Sequence, residues 1–174
     1  METLLLVLVA RKAWQAPFNL SNGPSIISLR SVRWRATVPL LLRHDHARRV
    51  GEARDFVLVP RHGITCLATI EDQSAARVVR AMLTKDPLAL RVSCGFGRTK
   101  ASRIEHVPEG QVRVVNGRRR AGPIDVHFGL RIDEVSIVPD PRDPATRIFL
   151  QPEEARSARE QVAPVALSQV METP

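Results

Sequence analysis

Apolar residues take a clear helical spacing over one central stretch of this chain, and around it they come in short β-branched runs. Ala75, Val78, Val79, Met82 and Leu83 share one face between residues 74 and 84, behind Asp72 or Ser74 as the cap, and Lys85-Asp86-Pro87 stops the helix. Residues 26–32, 38–42 and 88–96 read as strands, and residues 56–59 with 64–70 read as a hairpin around Pro60-Arg61-His62-Gly63. A second hairpin is expected from residues 103–107 and 111–115, closed by Asn116-Gly117 and followed by Arg118, Arg119 and Arg120 as a solvated loop. Val126, Phe128, Leu130 and Ile132 then alternate with His127, Gly129, Arg131 and Asp133, the period of a half-buried strand. Glu134 continues the apolar row, where a carboxylate needs either a partner or a place beyond the core. Many strands around one helix make an α+β domain, built on a β-rich curved sheet or barrel with few helices.

The length of 174 residues and a hydrophobic content of 44% suit one domain with a real core. Residues 25–150 carry the strand pattern; residues 1–24 read as an N-terminal appendage and 151–174 as a polar tail with a short helix near 153–161. The apolar run at 4–10 is shorter than the ~20 residues a membrane span needs, and its acid-before, base-after flanks are the reverse of a secretory signal. Cys66 and Cys94 are too few for a disulfide scaffold, which fits a reducing compartment. Lys and Arg total 26 against 18 acids, a net charge of +8, and all but three of the bases are Arg. Arginine forks suit carboxylate or phosphate partners. An aromatic content of 4% leaves little from which to build a base-stacking platform.

Four positions invite chemistry. His44 closes the run 38–42 and is followed by Asp45 and His46; an imidazole at a strand end serves as a general base when a neighbour orients it, whereas most isolated histidines are surface or packing residues. His44, His46, His62 and Cys66 are all of zinc-ligating type, but their spacing matches no strong zinc template. Ser93 shares a strand face with Arg91 and Gly95, away from Leu90, Val92, Cys94 and Phe96. A hydroxyl there, next to a glycine that lets a substrate backbone approach, is compatible with a nucleophile and equally with an ordinary polar-face serine. The segment is not a G-x-S-x-G elbow. Cys94 is the rival nucleophile, but its parity puts it among the apolar side chains, where thiols are usually inert. Glu134 either pairs with an arginine or orients a histidine.

Taken in order, His44-Asp45 after an apolar strand, a hairpin, a helix, Ser93-Cys94-Gly95-Phe96, and Glu134-Val135-Ser136-Ile137-Val138 before a proline-bearing turn form a series. It resembles the tailed-phage prohead protease family, capsid-maturation serine peptidases similar in fold to herpesvirus assemblins. The resemblance spans roughly residues 25–149. It implies a herpesvirus-protease-like fold with Ser93 as nucleophile, His44 as general base and acid, and Glu134 as the orienting group. Asp133 is the neighbouring alternative, and strand parity favours Glu134 for a strand without a bulge. The implied activity is a serine endopeptidase that cleaves scaffold or capsid-protein segments and then itself, with the tail from Gln151 as the self-cleaved region. It uses no cofactor or metal. Its partners would be the phage major capsid protein and scaffold segments, inside a procapsid assembling in the cytoplasm of a bacterial host, with no membrane involved. A homo-oligomer and contact with nucleic acid stay open. The rival expectation is a non-enzymatic β-domain in the capsid that binds scaffold or nucleic acid through Arg30, Arg33, Arg35, Arg48, Arg49, Arg118, Arg119 and Arg120.

Overall fold

Strand-forming sequence dominates the result. The computed structural model of the protein describes residues 3–10, 24–59 and 63–150. In chain order it contains β1 (Thr3–Ala10), β2 (Ser25–Ile27), a 3₁₀ turn at Leu29–Ser31, β3 (Thr37–Leu42), β4 (Asp45–Val59) and β5 (Gly63–Ile70). These are followed by α1 (Gln73–Lys85), β6 (Arg91–Gly97), β7 (Arg103–Val107), β8 (Val112–Val115), β9 (Arg118–Ala121), β10 (Ile124–Phe128), β11 (Arg131–Val138) and β12 (Arg147–Leu150). The expected β-rich curved sheet with one α-helix is present among the described residues.

Seven strands form the main sheet in the order β12-β1-β5-β4-β3-β11-β6. The sheet curls until Cα atoms of β6, at one edge, come within 8 Å of β1 and β12 at the other. Its concave core gathers Val38 and Leu40 from β3, Ile64, Cys66, Ala68 and Ile70 from β5, Val92 from β6, and Ile132, Val135 and Ile137 from β11. Pro39 sits within β3 because β11 joins that strand only from Leu40 onward, leaving Pro39 paired on one side. A smaller sheet, β2-β10-β7, buries a second cluster of Ile26, Val107, Val115, Ile124 and Val126.

Several expectations change. Residues 3–10, read as part of an appendage, form β1 and pair with both β5 and β12. A seven-residue apolar run is also compatible with a strand. The remaining residues of that appendage, the tail 151–174 with its expected helix, and the turn residues 60–62 lie outside the described residues. β4 starts eleven residues earlier than the strand expected at 56. Its first five residues are all exposed, so no apolar alternation announced them. β7 pairs with β10 rather than with β8, and Arg118, Arg119 and Arg120 form β9, the partner of β8 across the Asn116-Gly117 turn. Gly129, at φ 66°, divides the single strand expected through residue 132 into β10 and β11.

The helix is rotated from its expected face. Ala76, Val79 and Leu83 are buried, while Val78 and Met82 face solvent. Asp72 is the cap: its side chain accepts hydrogen bonds from the backbone N–H groups of Ser74 and Ala75, at 2.8 and 3.0 Å. No described helix is long and apolar enough to cross a membrane. Replacing Asp72 by Ala removes both bonds and is expected to lower unfolding free energy by about 1 kcal/mol. Urea denaturation followed by circular dichroism checks this.

Candidate active site

One extra residue in β11 builds the site. Ile132 pairs with Phe96 and Glu134 with Gly95, so Asp133 has no partner of its own and forms a bulge. Without it, Glu134 would share a face with Ile132, in the apolar row that the alternation foretold. With it, Val135 takes the core position and Glu134 turns to the other face together with Ser136. The expected unbulged strand is thus corrected, and the bulge itself is what brings Glu134 out of the core.

Directly opposed residues in a ladder lie on the same face. Ser93 opposes Ser136 and Gly95 opposes Glu134 across β6 and β11, while Leu41 opposes Ser136 across β3 and β11. The face therefore carries Ser93, Glu134 and Ser136 together. Gly95 has a role different from the expected one. A Cβ built there would meet Glu134 Oε1 at 2.5 Å and Cγ at 2.7 Å, so the room left by the glycine is occupied by the carboxylate rather than kept for a substrate. Gly97 likewise makes room for Asp133, whose Oδ1 accepts from Arg131 Nε at 2.5 Å.

His44 arrives from the third strand. β3 and β4 are joined by the two-residue turn Arg43-His44, in which both residues have positive φ, 55° and 60°. Hairpin turns of this class normally use Asn-Gly, as Asn116-Gly117 does between β8 and β9. Arg-His carries no such turn signal and adopts a backbone that bulky residues rarely choose. The turn is held from β11: the Arg43 N–H donates to the Ile137 carbonyl at 3.1 Å, and the His44 N–H donates to Ser136 Oγ at 3.1 Å. The His44 ring meets Glu134, with Nδ1 2.6 Å from Oε1. Because the carboxylate accepts, Nδ1 carries the proton and Nε2 is left as the basic nitrogen.

Glu134 is buried and fully satisfied. Its side chain is 7% exposed, against 46% for that of His44, and its second oxygen accepts from the Ser136 hydroxyl at 2.5 Å. Of the two adjacent acids, Glu134 is the one in contact with His44, while Asp133 pairs with Arg131. Ser93 is 9% exposed, and no hydrogen bond joins it to His44 among the described residues. It stands one position across from Ser136, a cross-strand Cβ separation of about 5 Å. The strand bearing Ser93 is clamped alongside: the Thr146 hydroxyl donates to the Val92 carbonyl at 2.7 Å and accepts from the Val92 N–H at 3.3 Å. Ser136 has little signal of its own in the sequence because an alternating strand supplies polar-face serines routinely; its position two residues after Glu134 is the available one.

The other candidates fall elsewhere. Cys94 packs against the main core, and burial pushes its thiol well above the ordinary value, with charges on Cys66 and Glu134 adding to the effect. Burial pushes Cys66 up to about 12. His46 is exposed and His62 lies outside the described residues. Among the described residues, no three His, Cys, Asp or Glu side chains gather as a metal site. A cavity of about 100 Å³ lined by Arg98, Ser102, Arg103 and His127 includes none of Ser93, His44 or Glu134. Burial lowers the pKa of His127 there, and Arg98 acts in the same direction against Asp125.

Two measurements follow from this geometry. The His44 Nδ1 proton is expected to resonate far downfield in proton NMR and to vanish in Glu134→Ala. The raised Cys66 value means that the unfolded chain gives up this proton first, so stability falls as pH rises from the ordinary thiol range toward about 12. Each of the two raised thiols should contribute a slope on the order of 1 kcal/mol per pH unit, so Cys66→Ala should remove its own share and leave that of Cys94, as read by urea denaturation across that range.

No protein-family model matches the chain, and comparison with curated proteins finds no significant relative.

Proposed function

We propose that the chain is a serine endopeptidase with Ser93 as nucleophile, His44 as general base and acid, and Glu134 as the residue that orients His44. The observation that carries this reading is the buried Glu134 carboxylate bonded to His44 Nδ1, on the same sheet face and one strand from Ser93. A serine hydroxyl becomes nucleophilic when an adjacent imidazole takes its proton, and the carboxylate fixes the tautomer that leaves Nε2 free to do so. Ser93 Oγ attacks the scissile carbonyl carbon while its proton passes to His44 Nε2. The C–N bond then breaks as the imidazolium returns that proton to the departing amine. Water, activated by the same nitrogen, hydrolyses the resulting ester and restores Ser93. In substrate-free proteins such catalytic hydrogen bonds are often long and tighten only when substrate is bound.

The order of the motifs, the curled β-sheet and the Glu134–His44 pair together support a prohead protease of the herpesvirus-assemblin kind, acting on scaffold or capsid-protein segments and on its own tail from Gln151. The net charge of +8 favours acidic segments as substrates, an attraction that salt would weaken. The rival binding domain keeps exposed Arg30, Arg33, Arg35, Arg118 and Arg119, but Arg48 and Arg49 already pair with Asp45 and Glu52.

Incubating the full chain beside Ser93→Ala and His44→Ala, with intact mass spectrometry and a fluorophosphonate probe, tests the reading. The parent should lose a C-terminal fragment and carry the probe on Ser93. Either substitution should remove about 10⁴-fold or more of the activity, since such groups act as a unit. A parent that neither takes the probe nor cuts itself or a co-expressed capsid protein would transfer the chain to the binding-domain reading.

A further inference from the structure

We infer that Ser136 is a positioning residue of this site, a single hydroxyl that sets both the acid and the turn carrying the base. The inference rests on the serine-protease reading. Ser136 is 0% exposed, so it cannot itself meet a substrate. A hydroxyl has one proton to give and two lone pairs to receive with, and here the roles are not interchangeable. The amide of His44 can only donate, so a Ser136 lone pair lies toward the His44 N–H and the Ser136 proton is given to Glu134 Oε2. The first bond fixes the rotation of the carboxylate, leaving Oε1 aimed at His44 Nδ1. The second holds the backbone of a histidine that sits at φ 60°, in the left-handed region that non-glycine residues uncommonly occupy.

Acid and base thus share a reference point on β11, directly across from Ser93. Ser136 makes two bonds, one to each of these residues. Placing both on residues of the same constellation makes the hydroxyl a device that keeps Glu134 and the His44 backbone in register with each other. Ser136 touches neither substrate nor reacting atoms, so its effect should appear in the rate of chemistry rather than in substrate binding.

The test compares the full-length parent with Ser136→Ala and with Ser136→Cys, which keeps the shape and replaces the hydroxyl by a weak donor. The fluorophosphonate rate at Ser93 is measured, together with kcat and KM on a peptide spanning the self-cleavage site and the downfield His44 proton. The Ala variant should label and turn over roughly ten- to a hundredfold more slowly, the range set by losing a buried hydrogen bond to a charged group, with KM within about twofold of the parent. Its His44 resonance should shift or broaden. The Cys variant should fall between the two, and it carries the test alone if the Ala variant does not fold. A folded variant that labels Ser93 at the parental rate, or whose KM rises while kcat holds, would overturn the inference and leave the protease reading intact. A parent inert to the probe and to its own tail would overturn both.

Discussion

The bulge at Asp133 is the constraint from which the site follows. A strand has period two, so one inserted residue exchanges the faces of everything beyond it. In β11 that exchange keeps Ile132, Val135 and Ile137 in the core and leaves Glu134 and Ser136 on the opposite face. Hydrophobic burial enforces the arrangement: undoing the bulge would carry a carboxylate into the concave core and expel valine and isoleucine from it. The chemistry-bearing face is therefore secured by apolar contacts on the other side of the same strand.

A buried carboxylate is costly unless each oxygen has a donor. Glu134 obtains one from a neighbouring side chain on its own strand and one from the turn at the end of the adjacent strand β3, 90 residues away in the chain, and Gly95 supplies the space. These contacts come from β11, β6 and the β3–β4 turn, so no local segment could assemble them alone. The site rests on regular strands and a two-residue turn rather than on long loops, and such supports hold side chains to tighter tolerances.

The sequence disclosed this unevenly. The presence of the helix, the run 38–42 and the faces of β6 were readable because their apolar residues follow a simple period, whereas the face the helix buries was not, since Val78 and Met82 share that period and face solvent. The polar first half of β4 was not, since exposed Asp45, His46, Arg48 and Arg49 show no alternation and pairing with Leu41 and Leu42 alone makes them a strand. The Arg43-His44 turn lacked the residues that mark such turns, because tertiary hydrogen bonds from β11 replace local preference. Ser93, His44 and Glu134 were each ambiguous singly and gained meaning from their order along the chain. The bulge had no signature at all: Asp133 is an ordinary polar residue on an alternating strand, and only the mismatch between Phe96 and Gly95 on the partner reveals it.

β1 lies between β5 and β12, with Leu5 opposite Leu150. The sheet thus joins the two extremes of the described chain, a pairing of very high sequence separation and a large loop-closure cost. During synthesis β1 emerges before β5 and waits for its other neighbour until residues 147–150 have been made. The outer edge of β1 stays open in the meantime, so completion of the curled sheet, and with it the support beneath β6 and β11, waits on the strand farthest along the described chain.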